Sequence, residues 1–171
     1  MDTLRLGQQS TMLDVVRQLR QMDQVIDRIT SADVPNYEQG TWTPAYAFST
    51  SGSVTTSVAV GAYTRIGNTV YITMRISSNV ASSPVGNVTI TGLPFTSNNT
   101  ASRRYGLAIG EKWRWNTDMP NMAAVINDNS AVITLYKQAS SAGATSAVLA
   151  TDMTFPAASY NLLVISGFYF V

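Results

Sequence analysis

The sequence predicts a mainly β protein, in which an N-terminal coiled-coil helix leads into an antiparallel β-sandwich and copies of the chain assemble as a homotrimer. Three observations point there. Apolar residues near the N-terminus recur at heptad spacing. Charge is concentrated in the first 33 residues. Everything after them reads as short alternating strands separated by turn signals.

The helix comes first, over about residues 11–31. Met12, Val15, Leu19, Met22, Ile26 and Ile29 are spaced alternately three and four apart, the a/d pattern of a coiled coil. Thr11 with Asp14 has the form of a capping box, and Pro35 cannot continue the helix. With Met12, Leu19 and Ile26 at a, positions d carry Val15, Met22 and Ile29. β-branched residues at d suit a parallel dimer badly, and no polar residue at a core position enforces one. The pattern therefore predicts a parallel trimer. An amphipathic helix docked on the rest of its own chain is the competing reading, because the seam is shorter than three full heptads.

A break in composition divides the 171 residues. Residues 1–33 hold nine charges, against twelve in the remaining 138, and the second part is rich in Ser, Thr, Val, Ala, Asn and Tyr. This sets a segment of residues 1–33 against a β domain of residues 34–171, joined at Val34-Pro35-Asn36-Tyr37. A formal charge of +1 exerts no global pull on nucleic acid, and the seven basic residues of the β domain are scattered rather than striped. Cysteine and histidine are both absent. Disulfides, thiolate chemistry, His-based metal sites and the commonest general base are thereby excluded. No apolar run reaches signal-peptide or membrane-spanning length, so neither secretion nor membrane insertion is expected.

The strands follow in order. Gly61–Ile66 and Thr69–Ile76 flank Gly67-Asn68, a two-residue hairpin turn. Alternation puts Val70, Ile72, Met74 and Ile76 on one face, with Tyr71, Thr73 and Arg75 on the other. Asn87–Thr91 is a further strand, followed by Tyr105–Gly110. Ala123–Ile126 and Ala131–Tyr136 bracket a second hairpin at Asn127–Ser130, and Leu162–Val171 is the last strand. Seven or more such strands without a helical pattern between them indicate the sandwich.

At these residues the chain resembles the C-terminal domains of bacteriophage tail fibres and tailspikes. The resemblance rests on Gly40-Thr41-Trp42-Thr43-Pro44, then Gly61–Asn68 entering an alternating strand, then Thr91-Gly92-Leu93-Pro94-Phe95, then Ile165-Ser166-Gly167-Phe168-Tyr169. It implies a trimeric, jelly-roll-like tip domain, carried in the virion tail and made in the host cytoplasm. Its partners would be a bacterial surface polysaccharide or lipopolysaccharide and, through the N-terminal end, other phage tail or baseplate proteins. A purely structural virion protein or trimerisation clamp is the alternative. No β-helical depolymerase body is present, so tailspike enzymatic activity does not carry over.

The residues themselves offer little for catalysis. Five carboxylates lie in the β domain, at Glu38, Glu111, Asp118, Asp128 and Asp152, and none sits in a signature. The serines have no histidine to activate them. No cofactor is expected, and the only opening for a metal is an oxygen-liganded calcium in Asn127-Asp128-Asn129. One constellation suits recognition: Arg104-Tyr105 with Lys112-Trp113-Arg114-Trp115. As a strand it projects Trp113 and Trp115 from one face, and indole faces stack on sugar rings while Arg and Lys donate hydrogen bonds. The competing reading, which the weight of indoles in core energetics favours, packs both in the core or across a subunit interface. Trp42 reads as structural.

Overall fold

A computed structural model describes residues 12–24, 37–115, 121–138, 144–153 and 160–171. The chain divides into two compact units, Met1–Asn36 and Tyr37–Val171. In the first, residues 12–24 form a helix, α1. Met12, Val15, Leu19 and Met22 are all exposed on it, as are Leu13 and Val16 beside them. Asp14 and Arg17 approach to 3.8 Å across one turn, an exposed pair of little energetic weight. Ile26, Ile29 and the capping Thr11 lie outside the described residues.

The second unit is one antiparallel sheet. Its strands are β1 (Glu38–Trp42), β2 (Ala45–Phe48), β3 (Ser51–Ile66), β4 (Thr69–Val85) and β5 (Val88–Thr91), then β6 (Arg104–Trp113), β7 (Asn121–Asn127), β8 (Ile133–Gln138), β9 (Ser146–Ala147) and β10 (Asn161–Phe170). Their order is β1-β3-β4-β10-β6-β7-β8-β5-β2, with β9 added on β8.

Here the structure corrects the sequence reading. Two separate sheets were expected, whereas the strands form a single sheet curled into a half-barrel. The cause is β6, which changes partner midway. Arg104–Leu107 pairs with β7, and Ala108–Trp113 pairs with β10. Gly110 is the extra residue where Val164 opposes Glu111 and Ile165 opposes Ile109, a bulge that bends the strand. On the other side the chain turns the same corner twice. β2 runs into β3 and β5 follows β4, so one pair of segments borders both halves. The observed architecture is a curled antiparallel half-barrel, mainly β as the sequence predicts.

Alternation on β4 runs as its sequence dictates. Val70, Ile72, Met74 and Ile76 are buried, while Tyr71, Thr73 and Arg75 are exposed. Across the core they face the other half, where Val88, Ile90, Ile126, Ile133, Leu135 and Val148 are fully buried. Each such side chain contributes about 1.5–3 kcal/mol by leaving water. The hairpin between β3 and β4 turns at Gly67-Asn68, where Gly67 has φ +59° and a side chain would be strained.

The four motif segments converge on one cluster. Trp42 lies over Gly61 and donates from Nε1 to the Ala62 carbonyl at 3.3 Å. One strand over, Tyr63 lies over Gly40. The Tyr63 ring meets Phe95 edge-on at 5.3 Å, Arg65 sits 5.0 Å above the same Phe95, and Tyr169 donates its hydroxyl to the Phe95 carbonyl at 3.0 Å. The motifs on which the resemblance rests are packing residues.

Candidate functional site

The predicted constellation lies on β6, and the structure divides it. Arg104 and Tyr105 open the strand, whereas Lys112 and Trp113 close it. Eight or nine residues of strand put the two ends roughly 30 Å apart. They do not form one site.

At the first end Tyr105 is 7% exposed. Its ring lies 5.9 Å from Phe170 and 6.4 Å from Tyr169, and its hydroxyl donates to Asn98 Oδ1. It is a core residue. Arg104 is exposed, with its guanidinium 5.9 Å from the centre of the Tyr136 ring.

At the other end the indoles part company. Trp113 is 55% exposed and Trp115 only 8%. Strand alternation would have kept residues i and i+2 on one face. It fails because β6 ends at Trp113 and Arg114 has φ +60°, a left-handed conformation that breaks the period of two. Trp115 is thereby turned inward, where Nε1 donates to the Leu162 carbonyl at 3.0 Å and the ring meets Tyr46 at 6.2 Å. The Asn161 side-chain amide donates to the Arg114 carbonyl and ties this turn to β10.

What stays at the surface is Trp113, with the Arg114 guanidinium 5.9 Å from its ring centre and Lys112 preceding it. Beside them β6 and β7 diverge. β7 pairs with β6 only as far as Ala124, and Asn121–Ala123 pair with β8 alone. The divergence opens a groove of about 260 Å³ lined by Ile109, Gly110, Glu111, Lys112, Asn121 and Met122. It offers apolar side chains, an amide and two charges one residue along β6 from the exposed Trp113, groups suited to a sugar ring and its hydroxyls. Asn121 and Met122 had no sequence signal, because only the parting of two strands brings them to the groove.

Carboxylates elsewhere have other work. Asp152 is buried, receives Lys137 Nζ at 2.6 Å and accepts the Leu149 amide at 2.7 Å. Glu38 accepts from the Tyr63 hydroxyl at 2.6 Å. Asp128 accepts from the Ser102 amide at 3.3 Å, and the neighbouring Asn127 carbonyl receives Ser97 Oγ at 2.6 Å. The Asn127–Asn129 loop, open to calcium in the sequence, is engaged as a turn. Among the described residues no group of three or more acidic side chains gathers. Asp118 lies outside them. No described helix is long and apolar enough to cross a membrane.

No family model matches the chain, and no curated protein matches its sequence. A solved structure does share the fold: the Dettilon tailspike protein (gp208), with a TM-score of 0.64 and 24% identity over 78% of this chain. The match spans 23% of that protein's length. The likeness is one of fold, to a domain within a tailspike.

Proposed function

We propose that this chain is the host-recognition tip of a bacteriophage tail fibre or tailspike, a virion tail component that binds a bacterial surface polysaccharide or lipopolysaccharide without catalysis. In this reading it acts as a homotrimer joined through Met12, Val15, Leu19, Met22, Ile26 and Ile29, and its N-terminal end meets other tail or baseplate proteins. The fold shared with a tailspike supports the setting. The observation that carries recognition is Trp113, an indole half in solvent beside a groove with polar and charged walls. An exposed indole face with hydrogen-bond donors near it suits stacking on a sugar ring.

Trp113→Ala in the full chain should abolish binding to host cells and to a panel of immobilised bacterial glycans, leaving the thermal midpoint nearly unchanged. Trp115→Ala should instead unfold the domain at lower temperature, since truncating a buried Trp costs about 3–5 kcal/mol. Full host-cell binding by a folded Trp113→Ala variant would overturn the site. A structural role as a trimerisation clamp is favoured by a different feature, the exposed Val60, Tyr71 and Phe168 on the outer face of the sheet.

A further inference from the structure

The groove beside Trp113 is bounded by sheet edges as well as by side chains. β6 follows β7 only from Arg104 to Leu107, and beyond that point Ala108–Trp113 pairs with β10. Asn121–Ala123 keeps its pairing with β8 on the far side. Among the described residues no strand pairs with the edge of Ile109–Glu111 that faces β7, nor with the edge of Asn121–Ala123 that faces β6. Alternate residues of an extended strand turn both their N–H and their C=O toward the same edge. Backbone donors and acceptors therefore point into the groove from both walls. A ligand that enters must match them or leave them unsatisfied.

The side chains narrow the choice. Ile109 and Met122 line the groove from opposite walls, and both pack against the core. Asn121 contributes an amide and Glu111 a carboxylate. At about 260 Å³ the groove lies below the roughly 300–1,000 Å³ of a drug-sized ligand, so it holds one substituent or one sugar rather than a length of polymer. A group bearing only hydroxyls would leave Ile109 and Met122 without apolar contact. A carboxylate or phosphate would meet the like charge of Glu111.

An acetamido group answers each of these conditions. It is a single secondary amide, with an N–H to donate and a C=O to accept, as a strand residue would have in that position. It also carries a methyl group for Ile109 and Met122. Lys112 lines the groove and precedes Trp113, and one residue of strand is about 3.3 Å, so the ring and one substituent of the same sugar span the two. We propose, on the reading that Trp113 binds a glycan, that the sugar recognised is an N-acetylated amino sugar, its ring stacked on Trp113 and its acetamido group inserted between β6 and β7.

Saturation-transfer NMR of soluble monosaccharides with the full chain tests this. N-acetylglucosamine or N-acetylgalactosamine should bind at least about ten-fold more tightly than glucose, galactose, glucosamine and galactosamine, which lack the acetyl group. Trp113→Ala should remove binding of them all. Met122→Gln, close in volume, sets an amide against the methyl group and should erase most of the preference while leaving the parent hexoses bound as before; a merely structural effect would weaken both alike. The comparison of sugars needs only the wild-type chain, so it decides even where Met122→Gln folds poorly. Equal binding of acetylated and unacetylated sugars, removed by Trp113→Ala, would overturn the proposal and leave glycan recognition standing. So would retained binding to the glycan panel with no saturation transfer to either acetylated sugar. Binding to neither sugars nor panel would overturn both.

Discussion

A Cβ placed on Gly61 would lie 2.5 Å from the Trp42 indole, so the buried ring has its place only because position 61 carries none. Gly61→Ala must push the indole or part β1 from β3, and overpacking of this kind costs about 1–3 kcal/mol; denaturant titration would read it as a lower midpoint with unchanged slope. Hydroxyls in the same core provide a contrast. Tyr169 donates to the Phe95 carbonyl, whereas the Tyr46 hydroxyl is buried with no hydrogen-bond partner among the described residues. Tyr169→Phe should therefore lose about 1 kcal/mol, and Tyr46→Phe should be neutral or stabilising. Burial raises the pKa of both, that of Tyr169 to about 12. A phenol whose folded pKa exceeds its unfolded value contributes stability that is complete below pH about 10 and lost as pH rises toward 12. The thermal midpoint should hold to about pH 10 and then fall, less steeply in Tyr169→Phe. One further residue pair is exacting: Asp152→Asn leaves Lys137 mostly buried with its ion pair broken, at a cost of about 3–5 kcal/mol.

At the scale of elements, the strands with regular alternation were legible in the sequence. β4 shows its inner and outer faces in the order of its residues, and Gly67-Asn68 marks its turn. The Ser- and Thr-rich extensions of β3 and β4 were not, because polar residues on both faces erase the period of two. The geometry of the constellation on β6 is not legible in the sequence, for a specific reason. Its period is broken at Arg114, whose left-handed φ no composition rule assigns to arginine, and so the Trp113–Trp115 pair looked like one face. The motif glycines carry the resemblance in the sequence, whereas their steric role shows only in the fold, where Trp42 lies over Gly61 and Tyr63 over Gly40. For α1 the heptad spacing makes its own prediction. Leu19→Asp places a carboxylate at an a position, and if copies meet along that seam the helical far-ultraviolet signal should fall while the β signal stays. Unchanged helicity in that variant, at any concentration, would sink the coiled coil.

For the molecule as a whole, the decisive fact is that β6 belongs to both halves of the curled sheet. Leu107 is the last residue of β6 paired with β7, Ala108 is the first paired with β10, and the Leu107 side chain reaches Gly167, where a Cβ would approach it to 2.6 Å. A two-sheet sandwich can loosen one sheet before the other, whereas here no strand boundary separates the halves. The β unit should therefore unfold in a single transition. Leu107→Ala tests this, because it removes buried apolar volume at the shared point and should cost about 2–5 kcal/mol. Hydrogen exchange would compare β4 in one half with β8 in the other. Both should lose protection by the same factor, since each opens only when the whole sheet does. A variant in which β8 exchanges faster while β4 keeps its wild-type protection would show two independently stable halves, and the continuity of the sheet through β6 would then have no energetic meaning.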